Sequence, residues 1–206
     1  MTPQAARRTS VDIVLLDLGG VLADLGDPVR SMGLEMETER FWEIWLSSPS
    51  VRAYESGALD ALGFAKAMAT ELELSSEAAF AALFQKWRLK PFAETERLVR
   101  AIPARFRVSL LSNTNEVHWQ QIVSATPVFE EFDSLFLSFR TGYFKPEEAA
   151  FRQVVEHYRC APSSIVFLDD SEKNVAAAAG LGIQARRVAG PGDAARALEL
   201  AGVLAS

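Results

Sequence analysis

The stretch VDIVLLDLGGVLAD spans residues 11–24 and contains the strongest fold signal of the chain. Its apolar run ends abruptly at Asp17, and Gly19 and Gly20 follow before a second apolar stretch. A carboxylate at the tip of a buried strand is costly unless it has a partner or a task. Glycines at this place let the backbone turn sharply and approach a ligand without a Cβ in the way. The stretch therefore predicts a buried strand that carries an acid and a tight turn into a binding site.

The composition indicates an ordinary globular protein, with 49% hydrophobic and 23% charged residues in 206. A net charge of −6 argues against binding to nucleic acid or to an anionic membrane, which requires a basic face. Cys160 is the single cysteine, which excludes an intrachain disulfide and fits the reducing cytoplasm where we expect the protein. No apolar run is long enough to span a membrane, and residues 1–10 are expected to be a flexible tail. The sequence does not distinguish a monomer from a homodimer.

Short apolar runs that end in polar clusters recur along the chain. The runs at 13–18, 108–113 and 165–170 are strong, the run at 135–138 is weaker, and the run at 183–188 is ambiguous. Helical patterns lie between or after these runs, at 94–101, 116–124, 147–159, 172–181 and 193–204. This alternation predicts an α/β fold with a doubly wound, Rossmann-like parallel sheet. Ligands of such sheets bind beyond the carboxyl ends of the strands.

Residues 27–95 differ from the rest because they show no strand pattern. Amphipathic helices are predicted there at 41–46, 61–72 and 78–87. The segment also contains Trp42, Trp45 and Trp87. We expect these rings to fill a small helical core, and the alternative is that one or two of them line a ligand pocket. The predicted organisation is a core of residues 11–26 and 96–206 with a small helical cap, residues 27–95, inserted into it.

Polar residues at the predicted strand ends, together with a lysine at a predicted helix start, form a set suited to a phosphate and a metal ion. The set comprises Asp17, Ser112, Asn113, Lys145, Asp169 and Asp170. Backbone N–H groups near a helix start suit a phosphate, and a lysine balances its negative charge. Mg²⁺ prefers oxygen ligands and is usually bound by one or two carboxylates together with a substrate phosphate. A carboxylate beside this ion could attack phosphorus, so the set predicts phosphoryl-transfer chemistry.

Four motifs in the same order resemble those of the haloacid dehalogenase-like (HAD) superfamily of phosphohydrolases. They are DLGGV at 17–21, LLSNTN at 110–115, FKP at 144–146 and FLDDSEKN at 167–174. The segment YESGALD at 54–60 is similar to part of the four-helix cap of some relatives. The resemblance covers nearly the whole chain. It is strongest to subfamily I members with a helical C1 cap, similar to bacterial glucose-1-phosphate phosphatases.

The resemblance implies a role for each of these residues. Asp17 would be the nucleophile, Lys145 would bridge it to the phosphate, and Asp169 would orient the site or act through water. The implied metal ligands are Asp17, Gly19 (through its carbonyl), Asp169 and Asp170, and the implied phosphate-binding residues are Gly20, Ser112, Asn113 and Lys145. The implied cofactor is Mg²⁺, and the implied partner is a small phosphorylated metabolite such as a sugar phosphate.

One departure from the family pattern concerns catalytic power. Most phosphatases of the superfamily have an aspartate, which acts as general acid and base, at the position of Gly19. Loss of such a group can cost on the order of 10²–10⁴ in rate. The sequence thus predicts a Mg²⁺-dependent phosphatase and leaves open a catalytically impaired metabolite- or partner-binding protein. A 2-haloacid dehalogenase is a further alternative, against which the paired carboxylates argue.

Three other polar residues are not assigned to the site. For Asp24, seven residues after the nucleophile, we expect a capping or hinge role in preference to that of a substitute acid. His118 follows the second motif, and we expect it to lie at the surface or to have its hydrogen bonds satisfied. We assign no role to His157.

Overall fold

The computed structural model of the protein describes residues 11–205, so the predicted tail at 1–10 lies outside the described residues. The strands are β1 (Ile13–Leu16), β2 (Ala23–Asp24), β3 (Lys90–Pro91), β4 (Arg107–Ser112), β5 (Ser134–Leu137), β6 (Ile165–Asp169) and β7 (Gln184–Arg187). Five of them form one sheet in the order β5-β4-β1-β6-β7, and every pairing in it is parallel. This confirms the predicted doubly wound, Rossmann-like sheet.

Strand register aligns the carboxyl ends of the central strands. Leu16 at the end of β1 pairs with Leu110 on one side and Leu168 on the other. All four residues of β1 are buried, because helices cover both faces of the sheet. The ambiguous run at 183–188 forms edge strand β7, whose residues are half-buried or exposed, which explains its weak hydrophobic pattern.

The helices are α1 (Pro28–Met32), α2 (Thr38–Ser47), α3 (Pro49–Glu55), α4 (Ala61–Glu71), α5 (Glu77–Phe84), α6 (Thr95–Ala101), α7 (Glu116–Ala125), α8 (Ser138–Thr141), α9 (Glu148–Tyr158), α10 (Glu172–Gly180) and α11 (Gly190–Leu200). Two 3₁₀ turns span Pro127–Glu131 and Pro162–Ser164. The helix predicted at 193–204 ends earlier, because Gly202 turns the chain with a φ of 73°. Within residues 11–205, no helix combines the length and the apolar character needed to cross a membrane.

Helices α1–α5, here called the cap helices, lie between β2 and β3. These two strands pair antiparallel, Ala23 with Pro91 and Asp24 with Lys90. The absence of a strand from 27–95 was therefore a wrong prediction. A two-residue strand that contains a proline is too short to produce a period-two pattern. The exact boundaries of the cap at 27 and 95 stay a prediction.

The cap helices and one face of the sheet share a single hydrophobic cluster. Val14 and Leu16 of β1 belong to the same cluster as Phe41 and Trp45 of α2. Leu15 points to the other face, where it joins a second cluster around α9. The cap helices thus have no separate core, and their aromatic side chains pack continuously onto the core.

Candidate active site

A buried lysine lies between two carboxylates at the carboxyl edge of the sheet. Lys145 Nζ lies 2.7 Å from Asp17 Oδ1 and 2.6 Å from Asp169 Oδ2. All three side chains are buried, and Asp169 is fully so. Oxygen atoms of Asp17, Asp169 and Asp170 all lie within 4.8 Å of one another. The ends of β1 and β6, which carry the first and fourth motifs, and the loop between α8 and α9, which carries the third, therefore converge on one charged group.

Burial and charge set the protonation of this group. Burial raises the pKa of Asp17 to about 7, Lys145 opposes that rise, and the charge of Asp169 adds to it. Burial alone would lower the pKa of Lys145, but the two carboxylates outweigh burial and raise that pKa. The lysine is therefore held as a cation beside Asp17.

The two adjacent aspartates of the fourth motif occupy different environments. Asp169 accepts hydrogen bonds from the backbone N–H of Ser171 at 2.8 Å, from Asn174 Nδ2 at 3.0 and 3.1 Å, and from Lys145. Its oxygens are thus largely engaged, and Asp169 positions the lysine. Asp170 is only partly buried, and its side chain has no hydrogen bond among residues 11–205. Partial burial and the charge of Asp169 raise the pKa of Asp170.

The turn after Asp17 requires a glycine at position 20. Gly20 has a φ of +67°, and a Cβ there would overlap the Asp170 carboxylate, so only glycine fits. The Ala23 N–H donates to the Leu18 carbonyl, and the Ala23 carbonyl accepts from the Gly20 N–H, so neither bond uses the Gly19 carbonyl. The Gly19 carbonyl therefore has no hydrogen bond in the described part of the chain.

Asn113 does more structural work than the sequence predicted. Its Nδ2 donates to the Lys145 carbonyl at 2.8 Å, and its Oδ1 accepts from the Lys145 N–H at 2.9 Å. Because its side chain holds the lysine backbone, any phosphate contact of Asn113 would use its own backbone N–H. The neighbouring Ser112 is buried at the end of β4. The phosphate-binding roles of both residues stay predictions.

A cavity of about 890 Å³ opens beside the charged group. Its lining includes Ser112, Asn113, Lys145 and Asp170 from the core and Trp42, Trp45 and Trp87 from the other side. Trp45 and Trp87 are also buried members of the hydrophobic cluster. Both interpretations of the tryptophans hold, since the same rings fill the core and form the cavity wall. The volume suits a small organic molecule.

Polar residues that the sequence left aside fall into two groups. Asp24 is exposed and accepts the Gly26 N–H at 2.8 Å, which makes it a turn residue. His157 is exposed and bonds to Ser134 Oγ at 2.9 Å. His118, in contrast, is buried with an unpartnered Nε2 atom, so the expectation of a surface or satisfied histidine was wrong. Glu55 lines the same cavity, and sequence reasoning missed it because no local pattern reveals that α3 packs toward α7.

Comparisons with known proteins agree with this geometry. A family model described as haloacid dehalogenase-like hydrolase matches residues 11–182. The chain is 26% identical to HAD family enzyme bt-2542 from Bacteroides thetaiotaomicron, whose structure is a complex with magnesium and inorganic phosphate. The superposition has a TM-score of 0.72 and covers 86% of this chain and 94% of that one. L-2-haloacid dehalogenase from Xanthobacter autotrophicus shares the fold, with 19% identity, a TM-score of 0.68 and coverage of 86% and 77%.

A curated relative resembles this chain over part of a longer protein. Drimenol cyclase drtB from Aspergillus calidoustus is 27% identical over 84% of this chain. The chain spans about a third, 33%, of the length of that relative. The likeness therefore concerns one part of the cyclase. The family model, in contrast, matches most of this chain, and the protein belongs to the haloacid dehalogenase-like hydrolase family.

Proposed function

We propose that the protein is a Mg²⁺-dependent phosphatase that hydrolyses a small phosphorylated metabolite, with a sugar phosphate as the expected substrate class. The observation that carries this proposal is the buried Asp17–Lys145–Asp169 group with Asp170 beside it at the cavity. A carboxylate next to a fixed cation is suited to attack an anionic phosphoryl group. The likeness to bt-2542, which binds magnesium and inorganic phosphate, supports the same chemistry.

The donor set fits a magnesium ion. Asp17, Asp170 and the Gly19 carbonyl supply hard oxygen atoms, whereas Asp169 is engaged with Lys145. Mg²⁺ favours sites that have few carboxylates and leave room for water and phosphate. When bound, the ion would offset the negative charge of the phosphoryl oxygens.

The residues of this chain would act in two displacements. In the first, Asp17 forms a bond to phosphorus while the bond from phosphorus to the alcohol oxygen breaks, and the leaving alkoxide takes a proton from water. In the second, water attacks the aspartyl-phosphate, loses a proton to solvent and releases inorganic phosphate and free Asp17. Lys145 favours the ionised form of Asp17 and would contact the phosphoryl oxygens.

The Gly19 position favours one alternative. A Cβ at Gly19 would lie 3.1 Å from Leu25 Cδ2, so an apolar side chain restricts the space where relatives have their acid. This observation supports a protein that binds a phosphate ester without turning it over. The dehalogenase alternative has only the shared fold in its favour.

A screen of phosphate monoesters with and without Mg²⁺ tests the proposal. We expect phosphate release that requires Mg²⁺ and is lost in Asp17→Asn. Asp24→Asn is a matched control, because Asp24 is an exposed carboxylate seven residues away that does not line the cavity. Full activity of Asp17→Asn, or release without metal, would overturn the proposal. Calorimetric binding without turnover of any ester would establish the binding-protein alternative instead.

A further inference from the structure

A second polar group lines the cavity away from the strand-end acids. It consists of Glu55 at the end of α3 and His118 in the first turn of α7, connected through Asn115. Glu55 and His118 both line the cavity, together with the rings of Trp45 and Trp87. Phosphoryl transfer as described above uses neither side chain.

Hydrogen bonds fix the tautomer of the histidine. Asn115 Oδ1 accepts the His118 backbone N–H at 3.0 Å as the cap of α7. Its Nδ2 therefore faces His118 Nδ1 at 3.1 Å and Glu55 Oε1 at 3.4 Å. Because Nδ1 accepts a hydrogen bond, the proton of the neutral ring is on Nε2. Burial lowers the pKa of His118 to about 3, which keeps the ring neutral.

The resulting N–H group is a donor without a partner. His118 is 4% exposed, and its Nε2 has no hydrogen bond within the described residues. Around the ring lie Phe84 and Trp87, with centroid distances of 4.9 and 4.6 Å. Aromatic rings are weak hydrogen-bond acceptors, so this donor has no good acceptor from the protein among residues 11–205. A buried donor left without an acceptor is unfavourable and indicates that something else supplies the acceptor.

Glu55 adds an acceptor to the same wall. It is 8% exposed, and its only side-chain hydrogen bond among residues 11–205 is the long one to Asn115. Its Oε2 atom is therefore available to a ligand. The carboxyl group of Glu55 and the imidazole N–H of His118, two residues that line the same cavity, suit hydroxyl groups, which both donate and accept hydrogen bonds. Burying an apolar group there would leave both side chains unpaired.

We propose that Glu55 and His118 bind hydroxyl groups of the alcohol portion of the substrate, and thereby select polyhydroxylated phosphate esters over apolar esters of the same size. The proposal rests on the proposed function for the position of the phosphoryl group beside Asp17. The two side chains are specificity residues, and the strand-end acids act on phosphorus. Selection of this kind is strong because a site built for hydroxyls leaves buried polar groups unpaired when an apolar analogue binds.

Two matched substrate pairs test the proposal. The first is myo-inositol 1-phosphate and cyclohexyl phosphate, and the second is glycerol 1-phosphate and propyl phosphate. Members of a pair share their carbon framework and differ in hydroxyl groups. The native enzyme should have a kcat/KM at least about tenfold higher for the hydroxylated member of at least one pair.

Variants then assign that preference to the two residues. The preference is the kcat/KM of the hydroxylated member divided by that of its apolar partner. Glu55→Leu and His118→Phe should each lower this preference about tenfold. Glu55→Gln should retain much of it, because an amide still bonds to hydroxyls. Glu77→Leu removes an exposed carboxylate of α5 outside the cavity and should leave the ratio unchanged. Circular dichroism identifies the variants that fold. A folded variant at either Glu55 or His118 is enough to test the proposal. A native ratio near one for both pairs, or a ratio unchanged in the folded variants, would overturn the proposal.

Failure of the phosphatase proposal would be distinguishable from failure of the subsite. If no ester is turned over, the same four compounds are titrated while tryptophan fluorescence is recorded, since Trp42, Trp45 and Trp87 line the cavity. Tighter binding of the hydroxylated members that is lost in Glu55→Leu or His118→Phe supports the subsite without catalysis. Equal binding within both pairs, or binding of none of the four, overturns it.

Discussion

Replacing Lys145 by methionine would remove the cation that separates two buried carboxylates. Methionine retains much of the length of the lysine side chain, so the change acts mainly on charge. Asp17 and Asp169 lose a partner at 2.7 and 2.6 Å and remain buried. Removing one partner of a buried ion pair costs about 3–5 kcal/mol. For a chain of this size that loss corresponds to a fall in Tm of roughly 6–20 °C.

The pH dependence of this loss has a defined sign. Lys145 is the strongest group that lowers the pKa of Asp17, so that pKa rises further in Lys145→Met. A carboxyl whose pKa is raised in the folded state binds a proton there that the unfolded chain has released. The free energy of unfolding then falls as pH rises above about 4. We expect the loss in Lys145→Met to be largest near pH 8 and to shrink toward pH 5.

Urea unfolding followed by tryptophan fluorescence at both pH values, with EDTA present, measures this effect. Lys66→Met is the matched control, because Lys66 is an exposed lysine of α4. Its free energy of unfolding should stay within about 0.5 kcal/mol of the native value. A loss below about 1 kcal/mol in Lys145→Met at pH 8, or a loss that grows toward pH 5, would refute the reasoning.

Three further changes probe other contacts. Gly20→Ala should displace Asp170 and weaken Mg²⁺ binding at least tenfold by calorimetry, because the new Cβ overlaps that carboxylate. Burial raises the pKa of Glu55 from 4.5 to about 7, so native stability falls as pH rises through that range. The free energy of unfolding of the native protein should fall by about 3 kcal/mol between pH 4.5 and 7 because of Glu55, and urea unfolding of Glu55→Gln should lack this fall. Gly57→Ala should lower the free energy of unfolding by more than about 2 kcal/mol, because its Cβ would lie 2.5 Å from the Phe139 carbonyl at a φ of +73°.

Controls separate backbone strain from steric overlap. Gly33 has a φ of +68° with no atom within 4 Å of a Cβ, so Gly33→Ala measures strain alone, about 1 kcal/mol in thermal unfolding. Gly57→Ala contradicts the packing described here if it costs no more than Gly33→Ala. Unchanged Mg²⁺ affinity in Gly20→Ala would separate Asp170 from the metal site. If the free energy of unfolding of Glu55→Gln depends on pH as in the native protein, the pKa of Glu55 is not raised by burial.

Sequence patterns predicted the sheet and the strand-end site because both follow from local rules. Buried parallel strands read as apolar runs, and their register aligns the ends that carry Asp17 and Asp169 at one edge, where Lys145 joins them from the loop between α8 and α9. The placement of Glu55 and His118 depends instead on how α3 packs near α7, which no local pattern encodes. Their link runs through Asn115, a residue that the sequence identifies only as part of a motif.

Side-chain engagement was equally hidden from the sequence. The side-chain amide of Asn113 could bind a phosphate, yet both of its polar atoms bond to the backbone of Lys145. The apolar side chain of Leu25 lies against Gly19, at the position where most phosphatases of the superfamily have an aspartate. Such roles depend on distances between segments, and only a three-dimensional structure provides them.

The hydrophobic cluster shared by the cap helices and the sheet has a consequence for protein engineering. A cap transplanted from a relative would have to match the core face around β1 and α7 as well as its own helices. Trp87 packs on His118 of α7, so a foreign segment at that place would have to cover His118 in the same way. New substrate preferences are therefore better sought by point changes in the cavity wall than by exchanging the cap as a module.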